Sequence, residues 1–182
     1  MIKRCLPLAA PLLVLSGTAG AAGFGATQYH FAPYVGANLG ILRYDESGLT
    51  TVSPSVFIAR IGMPLTDYFG IEGRIGTGLS SDNSAGAAVS VGTIGGAYLK
   101  GSYPILPTFS VYGVAGLGTL SVSRNFGDGH TTNTGLSFGV GGDVALRGAL
   151  GLNFEWTHFP GGTDAGYSYN SDVFSAGVTW RF

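Results

Sequence analysis

Apolar and polar positions alternate with a period of two along much of the chain. In the run Leu136-Ser-Phe-Gly-Val-Gly-Gly-Asp-Val-Ala-Leu146, Leu136, Phe138, Val140, Val144 and Leu146 share one face, while Ser137, Gly139, Gly141 and Asp143 share the other. Leu150, Leu152, Phe154 and Trp156 oppose Gly151, Asn153, Glu155 and Thr157 in the same way, and Phe174, Ala176, Val178, Trp180 and Phe182 oppose Ser175, Gly177, Thr179 and Arg181. Tyr34–Arg43, Ser53–Met63, Tyr68–Leu79, Ala88–Tyr103 and Ser110–Ser123 read as further strands. The total is about eight, each near the ~10 residues that a tilted strand needs to cross a bilayer. The facing of Ser110–Ser123 stays open, because both of its faces carry small apolar residues.

The connecting segments alternate as well. Tyr44–Thr51, Ser80–Ala87, Arg124–Thr134 and Pro160–Ser171 are long and polar, whereas Pro64–Asp67, Pro104–Phe109 and Arg147–Ala149 are shorter. An up-and-down barrel with both termini on the periplasmic side predicts this pattern, with long loops outside and short turns inside. The ionisable residues fall with the glycines and serines, so the apolar face points to lipid. A soluble barrel would need many more charges on its exterior. The expected fold is therefore all-β, an eight-stranded antiparallel up-and-down transmembrane β-barrel over residues 33–182.

The segments Tyr34-Val-Gly-Ala-Asn-Leu-Gly40, Tyr68-Phe-Gly-Ile-Glu-Gly-Arg74, Val111-Tyr-Gly-Val-Ala-Gly-Leu-Gly118 and Phe174-Ser-Ala-Gly-Val-Thr-Trp-Arg-Phe182, in this order and spacing, resemble the eight-stranded outer-membrane β-barrel family. That family includes opacity-type surface proteins, the transmembrane domain of OmpA and the Ail/OmpX-like adhesins. The resemblance implies that Phe174, Val178, Trp180 and Phe182 act as the signal read by the barrel-assembly machinery. It also implies periplasmic chaperones as partners during biogenesis, and the outer membrane of a Gram-negative bacterium as the location. Because the sequence runs out at the closing strand, the peptidoglycan-binding domain of full OmpA is not expected.

Composition narrows the picture further. Thirty-two glycines with only 10% charged residues make the chain too apolar for disorder and too glycine-rich for helices. Met1-Ile-Lys-Arg and the apolar stretch Leu6–Leu15 predict a secretory signal over residues 1–21, cut after Ala21 or Ala22, followed by a short periplasmic lead-in at 22–32. Cys5 would leave with the signal, so no disulfide is expected. Losing Lys3 and Arg4 from nine basic residues leaves the ten acidic ones in excess, and no basic block suits nucleic acid.

Within the predicted barrel, a three-residue loop Leu65-Thr-Asp67 would set Arg60 directly opposite Glu72 with Arg74 diagonal to it. Asp143 and Glu155 would be near neighbours across the Arg147–Ala149 turn and would need a cation from Arg60, Arg74 or Lys100. Three cations thus balance Glu72, Asp143 and Glu155, and an eight-stranded barrel is just wide enough for side chains to fill it. A lumen closed by ion pairs follows. Tyr44, Tyr68, Phe69, Tyr103, Phe109, Trp156, Phe159, Trp180 and Phe182 read as aromatic girdles near strand ends.

No catalytic, cofactor or metal residue is expected. His30, His130 and His158 read as loop histidines without ligand spacing. Lipid A deacylases, which are barrels of the same size, use a His-x-Ser-Asn motif, and the nearest stretch here, Gly166-Tyr-Ser-Tyr-Asn170, lacks the histidine. Asp45, Glu46, Asp82, Asp128, Asp164 and Asp172 against Arg124 predict acidic outer loops. The expected role is a monomeric, non-enzymatic envelope barrel in contact with the lipid bilayer and lipopolysaccharide. The alternatives are a narrow porin for small solutes and an adhesin acting through its long loops.

Overall fold

A computed structural model describes residues 32–46, 53–84, 87–124, 130–164 and 167–182. The expected signal, and the lead-in up to residue 31, lie outside these residues. The strands are β1 (Tyr34–Glu46), β2 (Ser55–Pro64), β3 (Phe69–Gly78), β4 (Ser81–Ser84), β5 (Ala87–Leu106), β6 (Phe109–Arg124), β7 (His130–Ala145), β8 (Leu150–Asp164) and β9 (Tyr167–Arg181). Each pairs antiparallel with its sequence neighbour, except that β3 and β4 both pair with β5 as two pieces of one stave. β1 pairs with β9 from Tyr34↔Arg181 to Glu46↔Tyr169, which closes the sheet into an eight-stave barrel.

The strands continue through much of what the composition marks as loop. Phe159 pairs with Ser171 and Gly162 with Tyr169, across an irregularity at Pro160, so the Pro160–Ser171 segment is largely a hairpin. Thr131–Thr134 pair with Thr119–Val122, and Ser81–Ser84 pair with Ala87–Ser90. Polar composition marks where a strand leaves the apolar belt. Pairing continues because the backbone groups need partners whatever side chains they carry.

The turns at the other end set the register. Leu65 N and Thr66 N both donate to Phe69 O at 2.9 Å, and the Thr66 hydroxyl accepts from Phe69 N, also at 2.9 Å. This turn spans Leu65–Tyr68 and is longer than the predicted three residues. In the β7–β8 turn Gly148 takes φ +69°, a left-handed conformation that favours glycine.

Ladder partners climb as they circle the barrel. From Met63 they run through Ile71, Leu99, Ala115, Phe138, His158 and Asp172 to Arg43, near the far end of β1, although the neighbouring Gly62 pairs with Tyr34 at its start. This stagger tilts the strands and fixes the bore.

Outside, Leu39, Ile61, Ile75, Leu99, Leu117, Leu136, Val140, Phe154, Phe174 and Val178 stand exposed as a continuous apolar belt. On β6, Tyr112 and Val114 face inward while Val111 and Leu117 face outward, which settles the facing left open by sequence. Two expectations about the interior change. Among the described residues the lumen is charged only in the half nearest the termini; the far half is filled by Leu42, Val56, Ile58, Val91, Ile94, Leu120, Val122, Phe159 and Val173. Phe159 therefore belongs to this core and not to a girdle, with 1% of its surface exposed. Trp156 pairs with Val140 and Phe174 in mid-strand, so it too lies away from the strand ends. Tyr68, Phe69, Tyr103, Trp180 and Phe182 do stand exposed around the end that carries the termini, and Tyr68 stacks on Tyr103.

Inward glycines accept the rings that fill the charged half. A Cβ on Gly96 would meet Tyr98 Cε2 at 2.5 Å and its hydroxyl at 2.8 Å, whereas one on outward Gly113 would find its nearest atom at 3.8 Å. Gly96→Val should thus destabilise the barrel by roughly 1–3 kcal/mol, the usual cost of overpacking. Gly113→Val should leave the unfolding midpoint nearly unchanged, which urea titration of the refolded protein in micelles would measure.

Candidate functional site

The most densely constructed site is the charged half of the lumen. Arg60, Glu72, Arg74, Lys100, Asp143 and Glu155 are all buried there, each with 7% or less of its surface exposed. The register differs from the sequence expectation, because the longer turn slides the hairpin. Arg60 pairs with Arg74, and Glu72 pairs with Gly62. Two adjacent guanidinium groups would repel each other unless carboxylates lay between them, and the diagonal geometry supplies these. Glu72 Oε1 accepts from Arg74 Nε at 2.6 Å, and Glu72 Oε2 lies 3.3 Å from Arg60 Nη2. Glu155 receives both terminal nitrogens of Arg74, with Nη2 at 2.7 Å from Oε2, and lies 3.5 Å from Arg60 Nη1. The result is a planar, forked pairing of the kind that guanidinium makes best.

Asp143 and Glu155 are not direct partners: Asp143 pairs with Asn153, and Glu155 with Gly141. Their cations differ, Arg74 for Glu155 and Lys100 for Asp143. Lys100 Nζ donates to Asp143 Oδ2 at 2.8 Å, one layer nearer the mouth than the arginines.

Three tyrosines that the sequence reading did not single out complete the cluster. The Tyr34 hydroxyl donates to Glu72, and the Tyr112 hydroxyl donates to Glu155 Oε2 at 2.9 Å. The Lys100 ammonium sits 3.8 Å from the centroid of Tyr112, and the Arg74 guanidinium 4.5 Å from that of Tyr98. Tyr98 was within reach of parity, since it lies two residues from Lys100 on the same face; Tyr112 was hidden by the undecided facing of β6. Beyond the cluster, Asn38 donates to Ser175 Oγ at 3.2 Å, Tyr98 to Ser137 Oγ at 3.1 Å and Ser137 to His158 O at 2.6 Å, forming a neutral polar collar below the apolar core. At the mouth, a cavity of about 370 Å³ is lined by Lys100, Asp143, Tyr34 and Arg181, and ringed by turn residues including Asp67 and Pro107.

The outer wall departs from expectation at His158. This residue lies on β8, not in a loop, and its Nδ1 is 2.8 Å from Asp172 Oδ1 on β9. Asp172 is accordingly part of the wall and not of an acidic loop. A deacylase motif would need a serine two residues beyond such a histidine, but that position on the same face of β8 is Pro160, which has no hydroxyl. His130 begins β7, and His30 lies outside the described residues, as do the side chains of Asp45, Glu46, Asp82, Asp128 and Asp164. Among the described residues, no group of three or more histidine, cysteine, aspartate or glutamate side chains has metal-binding geometry. Phe174, Val178, Trp180 and Phe182 lie together on the outer face of the closing strand, 46–64% exposed, with Phe182 N donating to Pro33 O at 3.0 Å.

An apolar exterior around a closed antiparallel ladder, with the charges inside, defines a transmembrane β-barrel. Residues 8–182 match the family model for the outer membrane protein beta-barrel domain, and the chain belongs to this family. Among solved structures it is similar to Neisserial surface protein A (17% identity, 82% of this chain and 97% of that one, TM-score 0.62). It is similar also to Ail, the attachment invasion locus protein of Yersinia pestis (13%, 83% and 99%, 0.59), and to OprG from Pseudomonas aeruginosa (11%, 84% and 97%, 0.56). At these identities the likeness is one of fold. None of the curated proteins matches the chain. The family places the protein in the outer membrane.

Arg74 binds both glutamates, so its removal leaves two buried carboxylates sharing Arg60. Arg74→Gln should destabilise the barrel by about 3–5 kcal/mol, the range for breaking a buried ion pair. Adding Glu155→Gln should recover part of the loss. Urea unfolding of the two variants in the same micelles would measure both effects.

Proposed function

We propose that this protein is a non-conducting structural barrel of the outer membrane, presenting its strand tips to the exterior. The observation that carries the reading is the double closure of the lumen. Ion pairs and tyrosines fill the half next to the termini, and nine apolar side chains fill the other half. An ion crossing this interior would have to part buried ion pairs in one layer and shed its water in the next. The narrow-porin reading asks for a continuous polar path and finds apolar packing around Phe159 and Ile94. No enzymatic role is proposed, because His158 and Asp172 have no nucleophile at Pro160, Glu72 and Glu155 are sealed from substrate, and Asp143, which lines the mouth cavity, is held by Lys100.

In this reading the end that carries the termini faces the periplasm. The paired segments 119–123 with 130–134 and 159–164 with 167–171 carry the strands beyond the belt, and the loops that join them are the surfaces offered to partners. The barrel acts as a monomer among lipids, and Phe174, Val178, Trp180 and Phe182 are the residues by which the assembly machinery recognises the chain, aided by periplasmic chaperones. Deleting Phe182 should therefore lower the amount of heat-modifiable protein recovered from outer membranes, while the same variant refolded in micelles keeps most of its stability.

Purified, refolded protein in planar bilayers should give no steady single-channel steps. Arg60→Ala should stay equally silent, because the apolar layer is untouched. Steady steps in the wild type that Arg60→Ala abolishes or alters would overturn the filled-lumen reading.

A further inference from the structure

The outer wall holds a second polar constellation, which the filled lumen does not explain. Among the residues whose side chains the structure describes, three outward strand positions carry a charged or histidine side chain: Arg43 on β1, Asp172 on β9 and His158 on β8. They are separated by long stretches of sequence, yet Arg43 pairs with Asp172 and Asp172 pairs with His158, so they form one row across three adjacent strands. The row lies one outward step beyond Ile41, Phe174 and Trp156, at the loop-bearing edge of the apolar belt.

We propose that this row is a docking site for the phosphate of an anionic lipid headgroup in the outer leaflet. Three features favour this chemistry. Two basic side chains bracket one carboxylate. The Asp172–His158 contact through Nδ1 at 2.8 Å holds the imidazole in place and leaves Nε2 as its other nitrogen. A guanidinium is the side chain best shaped to grip a phosphate through two parallel hydrogen bonds. A divalent cation, by contrast, would find among the described side chains one carboxylate and two competing basic groups, too few oxygens for its shell.

The surroundings favour a lipid over a soluble phosphate. Phe138, the next ladder partner of His158, lies 5.1 Å from the imidazole and meets Trp156, one step below the row, edge-on at 5.9 Å, making an aromatic shelf where acyl chains leave the headgroup. The side chains of His158 and Asp172 are 25% and 29% exposed, open enough to be reached from the wall and too covered to be freely solvated. The three are ladder neighbours on one face, and the His158–Asp172 contact joins two of them side chain to side chain, which a residue merely reaching toward the interface would not need.

The full chain, refolded in micelles, would be offered an equimolar mixture of phosphorylated lipid A and the same lipid dephosphorylated, and the adducts counted by native mass spectrometry. The wild type should retain the phosphorylated lipid by roughly tenfold, the factor that about 1.4 kcal/mol of binding confers. Arg43→Gln with His158→Gln should fall to parity while keeping its heat-modifiable mobility. Thr77→Gln, on the opposite wall, should behave as wild type. If the double variant does not fold, the wild type titrated with rising salt serves instead, and its preference should fall as charges are screened. Parity in the wild type, an undiminished preference in the folded double variant, a preference indifferent to salt, or displacement of the lipid by inorganic phosphate would each overturn the assignment.

Discussion

The structure depends on the closing ladder between β1 and β9. A backbone inside a bilayer has no water to bond, so a sheet there must leave no edge. The pairing from Tyr34↔Arg181 to Glu46↔Tyr169 removes the last edge over the whole length of β1. Once eight staves close with this stagger, the bore is set, and whatever faces inward must fit the space that remains. Phe182 N bonding to Pro33 O carries the closure one residue past the last strand.

From that bore follow the glycines and the charges. The interior admits large side chains only where a neighbour gives up its own, so Tyr98 lies against Gly96 and Gly118, and Tyr112 against Gly141. Ionisable groups in such a space must come as a neutral set, since a lone buried charge costs several kcal/mol even after relaxation. Arg60, Arg74 and Lys100 against Glu72, Glu155 and Asp143 meet that condition, and the Tyr34 and Tyr112 hydroxyls give the two glutamates further hydrogen bonds.

Much of this was legible in the sequence because parity is strictly local: two residues of separation in a strand mean the same face. Strand number, the lipid-facing belt and the six inward charges all follow from it. What parity leaves out is height. The turn at Leu65–Tyr68 and the ladder stagger decide which inward residues meet, and these place Arg60 against Arg74 and Phe159 among Leu42, Ile94 and Val173. Phe159 has the parity of Glu155, yet lies in the other layer. Polar stretches look like loops in the sequence because composition reports the solvent around the side chains, while pairing answers to the backbone.

The same distinction between face and height orders the outer wall. Arg43, His158 and Asp172 share the outward parity of Ile41, Trp156 and Phe174, and on parity alone three such groups among lipid would be errors of patterning. Set one step further along their strands, they leave the hydrocarbon for the interface, where charge is tolerated. The stagger that tilts the barrel then brings residues from its first and last strands into one row. A constellation so dispersed in sequence is invisible to any motif, and it exists only because the sheet closes between β9 and β1.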